Sequence, residues 1–237
     1  MNILAIATHK GGAGKTTTAY YLAKHLSRQH GQHVLLVDLD PQGNLSKLLG
    51  YGTPLSGYSA GDVLRGRETL VKVTRPGPGT INIVPADFRL EDTRAVLTSE
   101  PLGFNALRKA LAQLPADRYD WVLIDTPPAA DILVVNALVA STHVVTPADP
   151  EDHAIDGANR ITEMLGWLTS ELGRAPAWLG TVATKVNRQT IKHQINLGRL
   201  PQPVLGEIPL RQGMSAEIDI SEAYRLVTEK VVEGVTG

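Results

Sequence analysis

A segment rich in glycine and lysine near the start of the chain carries the most specific chemical signal in the sequence. Residues 8–17 read THKGGAGKTT, between an apolar run at residues 3–7 and apolar residues at helical spacing over 19–26. A strand, a glycine-rich turn and a helix in this order can surround a phosphate with backbone N–H groups and with the positive end of the helix dipole. The segment therefore predicts a phosphate-binding loop.

Within this loop, the residue types define separate chemical roles. Lys15 is placed to reach β- and γ-phosphates, and the Thr16 hydroxyl is placed to bind Mg²⁺. The usual pattern G-x-x-x-x-G-K-[ST] is incomplete, because His9 stands at its first glycine and Lys10 follows as a second lysine. The predicted loop comprises Lys10, Gly11, Gly12, Ala13, Gly14, Lys15, Thr16 and Thr17.

Acidic residues end two further predicted strands. Asp38 and Asp40 follow the apolar run at residues 33–37, and residues two apart on a strand point to the same side. Asp125 ends the apolar segment WVLID, the Walker B pattern, in which the carboxylate binds Mg²⁺ directly or through water. Carboxylates at the carboxyl edge of a parallel sheet are well placed for Mg²⁺ and water. An acidic turn that caps the next helix is the alternative interpretation of Asp38 and Asp40.

Composition excludes several classes of protein. The 237 residues contain no cysteine, which rules out disulfides and cysteine-ligated zinc or iron–sulfur sites. No apolar run approaches the ~20 residues of a membrane span, and the N-terminus lacks the basic region of a signal peptide. We therefore expect a cytoplasmic protein. The net charge of −1 means that any contact with nucleic acid must come from a local patch.

Apolar periodicity and turn residues predict the remaining elements. Gly31 is predicted to end the first helix. Further helices are predicted at residues 60–64, 90–97, 103–114, 132–139 and 153–172, the last with Asp152 as its N-cap. Further strands are predicted at residues 70–73, 81–86, 143–147 and 178–184, with a hairpin connection near Pro76 and Gly79. A final helix is predicted from Ser215 or Ser221 to Glu233.

Three motifs together resemble one family. The loop KGGAGKTT, the segment DLDPQGN at residues 38–44 and the segment DTPP at 125–128 resemble the deviant Walker A ATPases of the ParA/MinD class. Ala13, where valine is usual, is a small departure. The resemblance covers essentially the whole chain and favours a short, Soj-like ParA without an N-terminal DNA-binding extension. It implies a single α/β domain over residues 1–237, doubly wound, whose mostly parallel sheet has seven or eight strands and helices on both faces.

The resemblance also implies roles for individual residues. ATP and Mg²⁺ are the implied cofactors, with Thr16, Asp38 and Asp125 around the metal. Lys15 would stabilise the β- and γ-phosphates, and Asp40 would act on the attacking water. Lys10 would reach the phosphates of the partner subunit in an ATP-bound homodimer. Asn187, with the backbone around Pro209, would recognise adenine, although a solvated Asn at a strand end is the alternative.

A basic segment near the C-terminus is the candidate DNA contact. Between Lys185 and Arg211 there are five basic residues and one acid, Glu207, so the segment carries +4 within a chain of −1. Non-specific DNA binding needs little more than several phosphate contacts on one face. A solvated helical face is the alternative. The implied contacts are Arg188, Lys192, Arg199 and Arg211.

The family function would be an ATP-dependent switch. An ATP dimer would bind DNA non-specifically at the nucleoid, and slow hydrolysis, stimulated by a ParB-like partner, would release it and move a cargo. A MinD-like membrane ATPase is disfavoured because the final helix carries both charge signs and lacks Trp and Phe. The sequence is also compatible with a biosynthetic P-loop enzyme, such as a dethiobiotin synthetase, and with a non-catalytic scaffold.

Overall fold

An eight-stranded sheet organises the residues that the structure, a computed structural model, describes: 1–52, 55–210 and 216–236. The strand order is β3-β4-β2-β5-β1-β6-β7-β8. All neighbouring strands are parallel except β3, which is antiparallel to β4. The strands are β1 (Asn2–Ile6), β2 (Val34–Asp38), β3 (Arg75–Pro76), β4 (Ile81–Val84), β5 (Trp121–Asp125), β6 (His143–Ala148), β7 (Ala177–Val186) and β8 (Val204–Pro209). The predicted fold class is confirmed.

Helices cover both faces of this sheet. The α-helices are α1 (Lys15–His30), α2 (Asn44–Leu48), α3 (Ala60–Leu64), α4 (Leu70–Val73), α5 (Leu90–Ser99), α6 (Ala106–Leu111), α7 (Ile132–Ala140), α8 (Asp152–Leu172), α9 (Ile191–Leu197) and α10 (Ala216–Thr236). A 3₁₀ turn, Gly103–Asn105, precedes α6. Among the described residues, no helix combines the length and apolar character that a membrane span requires.

Alternation along the central strands produces two cores. On β2, Leu35 and Val37 pack with residues of α3 to α8, whereas Val34 and Leu36 pack with residues of α1, α2 and α10. Every residue of β2 and of β5 is buried, because a parallel sheet between two helical layers has no solvent face. Polar groups are therefore found where the strands end, at the carboxyl edge of the sheet.

Three predicted elements differ from the structure. Residues 70–73 form the short helix α4 instead of an edge strand, because the Thr69 side chain caps its N-terminus and Leu70 and Val73, three apart, are both buried. The N-cap of α8 is Glu151 and not Asp152. The segment predicted as one helix over 103–114 is a 3₁₀ turn followed by α6, which ends at Leu111. Helix α9 was not predicted.

The remaining predicted elements agree with the structure to within a few residues. The hairpin near Pro76 is present as the β3–β4 pair, and Gly31 ends α1 at a φ of 62°. Ser215 and Arg211 lie outside the described residues.

Helix α1 is held at the phosphate loop by α10. Gly14, at a φ of 89°, precedes the first residue of α1, Lys15. One turn later, the hydroxyls of Thr18 and Tyr224 share a hydrogen bond of 2.9 Å. The rings of Tyr21 and Tyr224 stack with centroids 5.0 Å apart. These contacts fix the direction of the helix whose N-terminus closes the loop.

Candidate nucleotide site

Strand register brings the predicted acidic residues to one point. Asp125 pairs with Ile6 on one side and with Asp38 on the other, so both carboxylates lie at the edge where the phosphate loop begins. The Thr16 hydroxyl donates a hydrogen bond of 2.7 Å to Oδ2 of Asp125. Thr16, Asp38 and Asp125, predicted from three separate motifs, are therefore together in space.

The chemistry around Asp125 suits a hard cation. Its Oδ1 atom is buried and has no hydrogen-bond partner. Carboxylate and hydroxyl oxygens are ligands that Mg²⁺ prefers, and Mg²⁺ is commonly held by one or two carboxylates together with phosphates. In the described part of the chain, no group of three or more His, Cys, Asp or Glu residues forms a self-sufficient metal site. Asp125 and Thr16 fit a metal that is shared with a nucleotide.

Burial strongly perturbs the two carboxyl groups. Burial raises the pKa of Asp38 to about 6. Burial, with the adjacent charge of Asp38, holds the pKa of Asp125 well above its usual value. Two neighbouring buried carboxylates cannot both ionise without cost, and a bound cation would reduce that cost.

Asp38 also organises the loop that follows β2. Its Oδ1 accepts a hydrogen bond from the Asp40 N–H, and its Oδ2 accepts bonds from the N–H and the hydroxyl of Ser46, at 2.9 and 2.7 Å. The Ser46 hydroxyl in turn accepts a bond from the Ala86 N–H. Asp38 thus ties α2 and the end of β4 to the site. Its predicted role near the metal stays a prediction.

The charges of Lys15 and Asp40, both buried, interact with each other. Lys15 is buried, and its Nζ donates to the Lys10 carbonyl at 3.0 Å. Burial lowers the pKa of Lys15, and the charges of Asp125 and Asp40 oppose this change. Asp40 is also buried, and its Oδ1 accepts a hydrogen bond from the Gln42 N–H. A cation and a carboxylate therefore interact beside the loop, and their roles toward a γ-phosphate and an attacking water stay predictions.

Lys10 makes an ion pair outside its own loop. Its Nζ lies 2.7 Å from Oδ1 of Asp149, the residue after β6, and the Lys10 side chain is 26% exposed. Asp149 did not emerge from the sequence, because an aspartate after a strand is a weak signal. The second lysine of the motif, Lys10, is therefore ion-paired with Asp149, which lies outside the loop.

A cavity of about 840 Å³ lies along β8, beside the end of β7 and Lys230 of α10. Asn187 and Pro209, the two predicted adenine contacts, both line it. Pro209 pairs with Val186, and the Leu210 N–H donates to the Val186 carbonyl. The Asn187 Oδ1 accepts a hydrogen bond from the Gln189 N–H. The structure brings these residues to one cavity, and base recognition stays a prediction.

The predicted DNA-binding cations are paired with acids. Arg188 forms two hydrogen bonds with Glu207, at 2.9 and 2.6 Å. Lys192 contacts Glu151 at 2.5 Å, and Arg199 contacts Asp152 at 2.9 Å. The count of +4 along the sequence omitted Glu151 and Asp152, because α8 brings them from elsewhere in the chain. The fourth predicted contact, Arg211, lies outside the described residues.

Comparison with known proteins places this site in a family. A family model described as an AAA domain matches residues 1–174. The chain is 36% identical over 194 residues to the chromosome partitioning protein ParA of Caulobacter vibrioides, covering 80% of this chain and 71% of that protein. The chain belongs to the ParA family. It is also 37% identical over 191 residues to the chromosome-partitioning ATPase Soj of Thermus thermophilus, covering 81% and 72% of the two chains.

A solved structure outside the partition proteins has the same fold as this ParA-family chain. It is the cobyrinic acid a,c-diamide synthase of Mycobacterium smegmatis with a bound ATP analog and magnesium. The TM-score is 0.89 at 29% identity, and the match covers 98% of this chain and 95% of that one. The resemblance to ParA predicted from the motifs is confirmed, and the fold is shared with a biosynthetic enzyme.

The two buried carboxylates predict an unusual pH dependence in metal-free protein. A raised carboxyl pKa means that the folded state keeps a proton that the unfolded chain has released. Its stabilising effect is therefore complete below the unfolded pKa and is lost as pH rises through the folded pKa. Asp125→Asn has no titrating carboxyl group, so folding no longer requires this site to keep a proton, and its amide oxygen can still accept the Thr16 hydrogen bond. We expect it to be more stable than wild type at neutral pH, with a smaller decline between about pH 4 and pH 7.

Urea unfolding in EDTA at a series of pH values measures this effect. Asp117→Asn, at an exposed aspartate, is the control for loss of one negative charge. A lower free energy of unfolding for Asp125→Asn than for wild type at neutral pH would contradict the interpretation.

Proposed function

We propose that this chain is an ATP-dependent dimerisation switch of the ParA type. The phosphate loop, with Lys15 and Thr16, would bind ATP, and Thr16 and Asp125 would hold Mg²⁺. When bound, Mg²⁺ neutralises charge on the β- and γ-phosphates. The partition proteins of Caulobacter and Thermus among its relatives support this positioning function.

The ion pair of Lys10 with Asp149 is the observation that carries the dimer proposal. The Lys15 ammonium donates to a carbonyl of the loop itself, whereas the Lys10 ammonium pairs with Asp149, outside the loop. A partly exposed ammonium at the mouth of the site can exchange its carboxylate for a phosphate of a facing subunit. Two facing nucleotides bring strongly negative groups together, and each Lys10 would compensate this charge across the interface.

Asp40 is the proposed acceptor for the attacking water. It is buried, close to Lys15, and it precedes the turn that the Asp38–Ser46 hydrogen bonds hold in place. Positioning of the water and charge stabilisation by lysine are the main contributions expected of a protein in phosphoryl transfer. Hydrolysis would separate the subunits and, with them, the two halves of a DNA-binding surface. A ParB-like partner would accelerate this step.

Substitution of Lys10 in a background that cannot hydrolyse ATP tests the dimer proposal. Asp40→Ala should form a stable ATP dimer, measured by light scattering, because Asp40 acts on the water and not on the bound nucleotide. Adding Lys10→Ala should leave ATP binding intact, abolish the dimer and abolish ATP-dependent DNA binding in a gel shift. Lys15→Ala is the control that should fail to bind ATP at all. A stable ATP dimer in the Lys10→Ala, Asp40→Ala protein would refute a trans-acting lysine.

A biosynthetic role is the second candidate, because the diamide synthase shares the fold over nearly the whole chain. The two functions differ in what stimulates ATP turnover. A switch should hydrolyse ATP slowly alone and faster with DNA and a protein partner. A synthetase should require a small-molecule substrate. ATP hydrolysis that responds to DNA would favour the switch.

The ion pairs around the basic segment predict how DNA binding responds to charge. If Lys192 contacts DNA phosphates, Glu151 competes for it, at a Lys192–Glu151 distance of 2.5 Å. Glu151→Gln should therefore strengthen ATP-dependent DNA binding and steepen its salt dependence, because more phosphates are contacted. Glu163→Gln, at an exposed position on α8, the helix that Glu151 caps, gives the same change in net charge. Equal DNA affinity of the two variants over a salt series would argue against Lys192 as a DNA contact.

A further inference from the structure

The end of β7 holds the phosphate loop by its carbonyl groups. The Thr184 hydroxyl donates a hydrogen bond of 2.9 Å to the Ala13 carbonyl, and Lys185 Nζ donates one of 2.5 Å to the Gly12 carbonyl. These bonds join residues more than 170 positions apart in the chain. Neither Thr184 nor Lys185 has a role in the site as described so far.

Peptide geometry gives these bonds a consequence for phosphate binding. A trans peptide is planar, so its C=O and its N–H point in opposite directions. Fixing the Gly12 carbonyl toward Lys185 therefore fixes the Ala13 N–H away from it. In the same way, Thr184 fixes the direction of the Gly14 N–H. Backbone N–H groups are the donors with which such loops bind phosphate.

The backbone of Lys185 is strained to make this contact. Its φ of 54° is the single positive value among non-glycine residues in the ranges that the structure describes. Left-handed backbone is unfavourable for a residue with a Cβ and persists where the surrounding structure requires it. The pairing of β7 with β8 shifts register between Ala183 and Val186, across Lys185. The strain is therefore located where β7 leaves the regular ladder.

Close packing accompanies the two hydrogen bonds. A Cβ at Gly12 would lie 3.7 Å from Lys185 Nζ, and one at Gly14 would lie 3.3 Å from the Thr184 methyl group. Directly after Lys185, Val186 and Asn187 line the cavity that lies along β8. One short segment thus contacts the phosphate loop with two side chains and forms the wall of the neighbouring cavity with the next two.

We propose that Lys185 is a positioning residue of the nucleotide site, which orients the Ala13 N–H for phosphate binding. This inference rests on the proposed function, since it assumes that the loop binds a nucleotide. An ammonium on the Gly12 carbonyl also polarises the peptide and strengthens its N–H as a donor. Val186 and Asn187, which directly follow Lys185, line the cavity where the base is predicted to bind.

Three substitutions separate the charge from the backbone conformation. Lys185→Gly accepts the positive φ but lacks the ammonium, Lys185→Met keeps the chain length without charge, and Lys185→Arg keeps the donors. Lys72→Met, at a lysine paired with Glu68 on α4, is the control for loss of one positive charge. Removal of a charged hydrogen bond should weaken binding of ATP and of magnesium pyrophosphate about tenfold in the Gly and Met variants. The Arg variant should restore most of this affinity.

Two measurements check the inference. Calorimetry gives the affinities, and the ¹⁵N chemical shift of the Ala13 amide in nucleotide-free protein reports the loss of the bond to its peptide group. Wild-type pyrophosphate affinity in Lys185→Gly and Lys185→Met, with an unchanged Ala13 shift, would overturn the proposal. The proposed function would still stand after that outcome, provided that the wild-type protein binds ATP and Lys15→Ala does not. Absence of ATP binding by wild type would overturn both.

Discussion

Charge balance at the carboxyl edge of the sheet is the constraint on which the rest of the structure depends. Three acidic side chains, Asp38, Asp40 and Asp125, are buried where β2 and β5 end. Lys15 is the buried cation beside them. The raised pKa values of Asp38 and Asp125 indicate that this arrangement is incomplete without further positive charge. A divalent cation beside Asp125 and Thr16 would supply that charge, and Lys15 and the backbone N–H groups of the loop would face the phosphates that the cation accompanies.

The carbonyl groups of the phosphate loop are held by three side chains, of which two lie outside the loop. Its N–H groups must remain available for an anion, so its carbonyls need partners elsewhere. Lys15 contacts the carbonyl of Lys10, Lys185 that of Gly12 and Thr184 that of Ala13. Helix α10 supports the other side by fixing α1 through Tyr224. Phosphate binding would then require little rearrangement of the backbone, which lowers its entropic cost.

The parts of the site that could be predicted from the sequence are those encoded in short segments. The loop, Asp38 with Asp40, and the strand ending at Asp125 each depend on neighbouring residues and on strand periodicity. Parallel topology then brings them together. The residues that escaped prediction act over long separations: Asp149 pairs with Lys10 across 139 positions, and Lys185 with Gly12 across 173. No local pattern marks such contacts.

Two further differences have physical causes of the same kind. The apolar residues at 70–73 fit a strand or a helical turn equally well. The helix forms because Thr69 caps its N-terminus and because Leu70 and Val73 pack with residues of α3. The basic segment looked unpaired because charge was counted along the chain. In the structure, the N-cap of α8, Glu151, and its first residue, Asp152, pair with this segment. A local charge count is a weak guide where another element packs against the segment.

Mixing two inactive variants tests the central claim most directly, namely that one subunit completes the site of the other. Lys10→Ala and Asp40→Ala proteins should each be inactive alone as ATPases. In a mixed dimer, the Lys10→Ala subunit keeps Asp40 and receives Lys10 from its partner, so one complete site forms. Phosphate release with DNA present should reappear on mixing and peak near equal amounts of the two proteins. If the mixture stays as inactive as its components while mixed dimers form, Lys10 acts within its own subunit and the account is wrong.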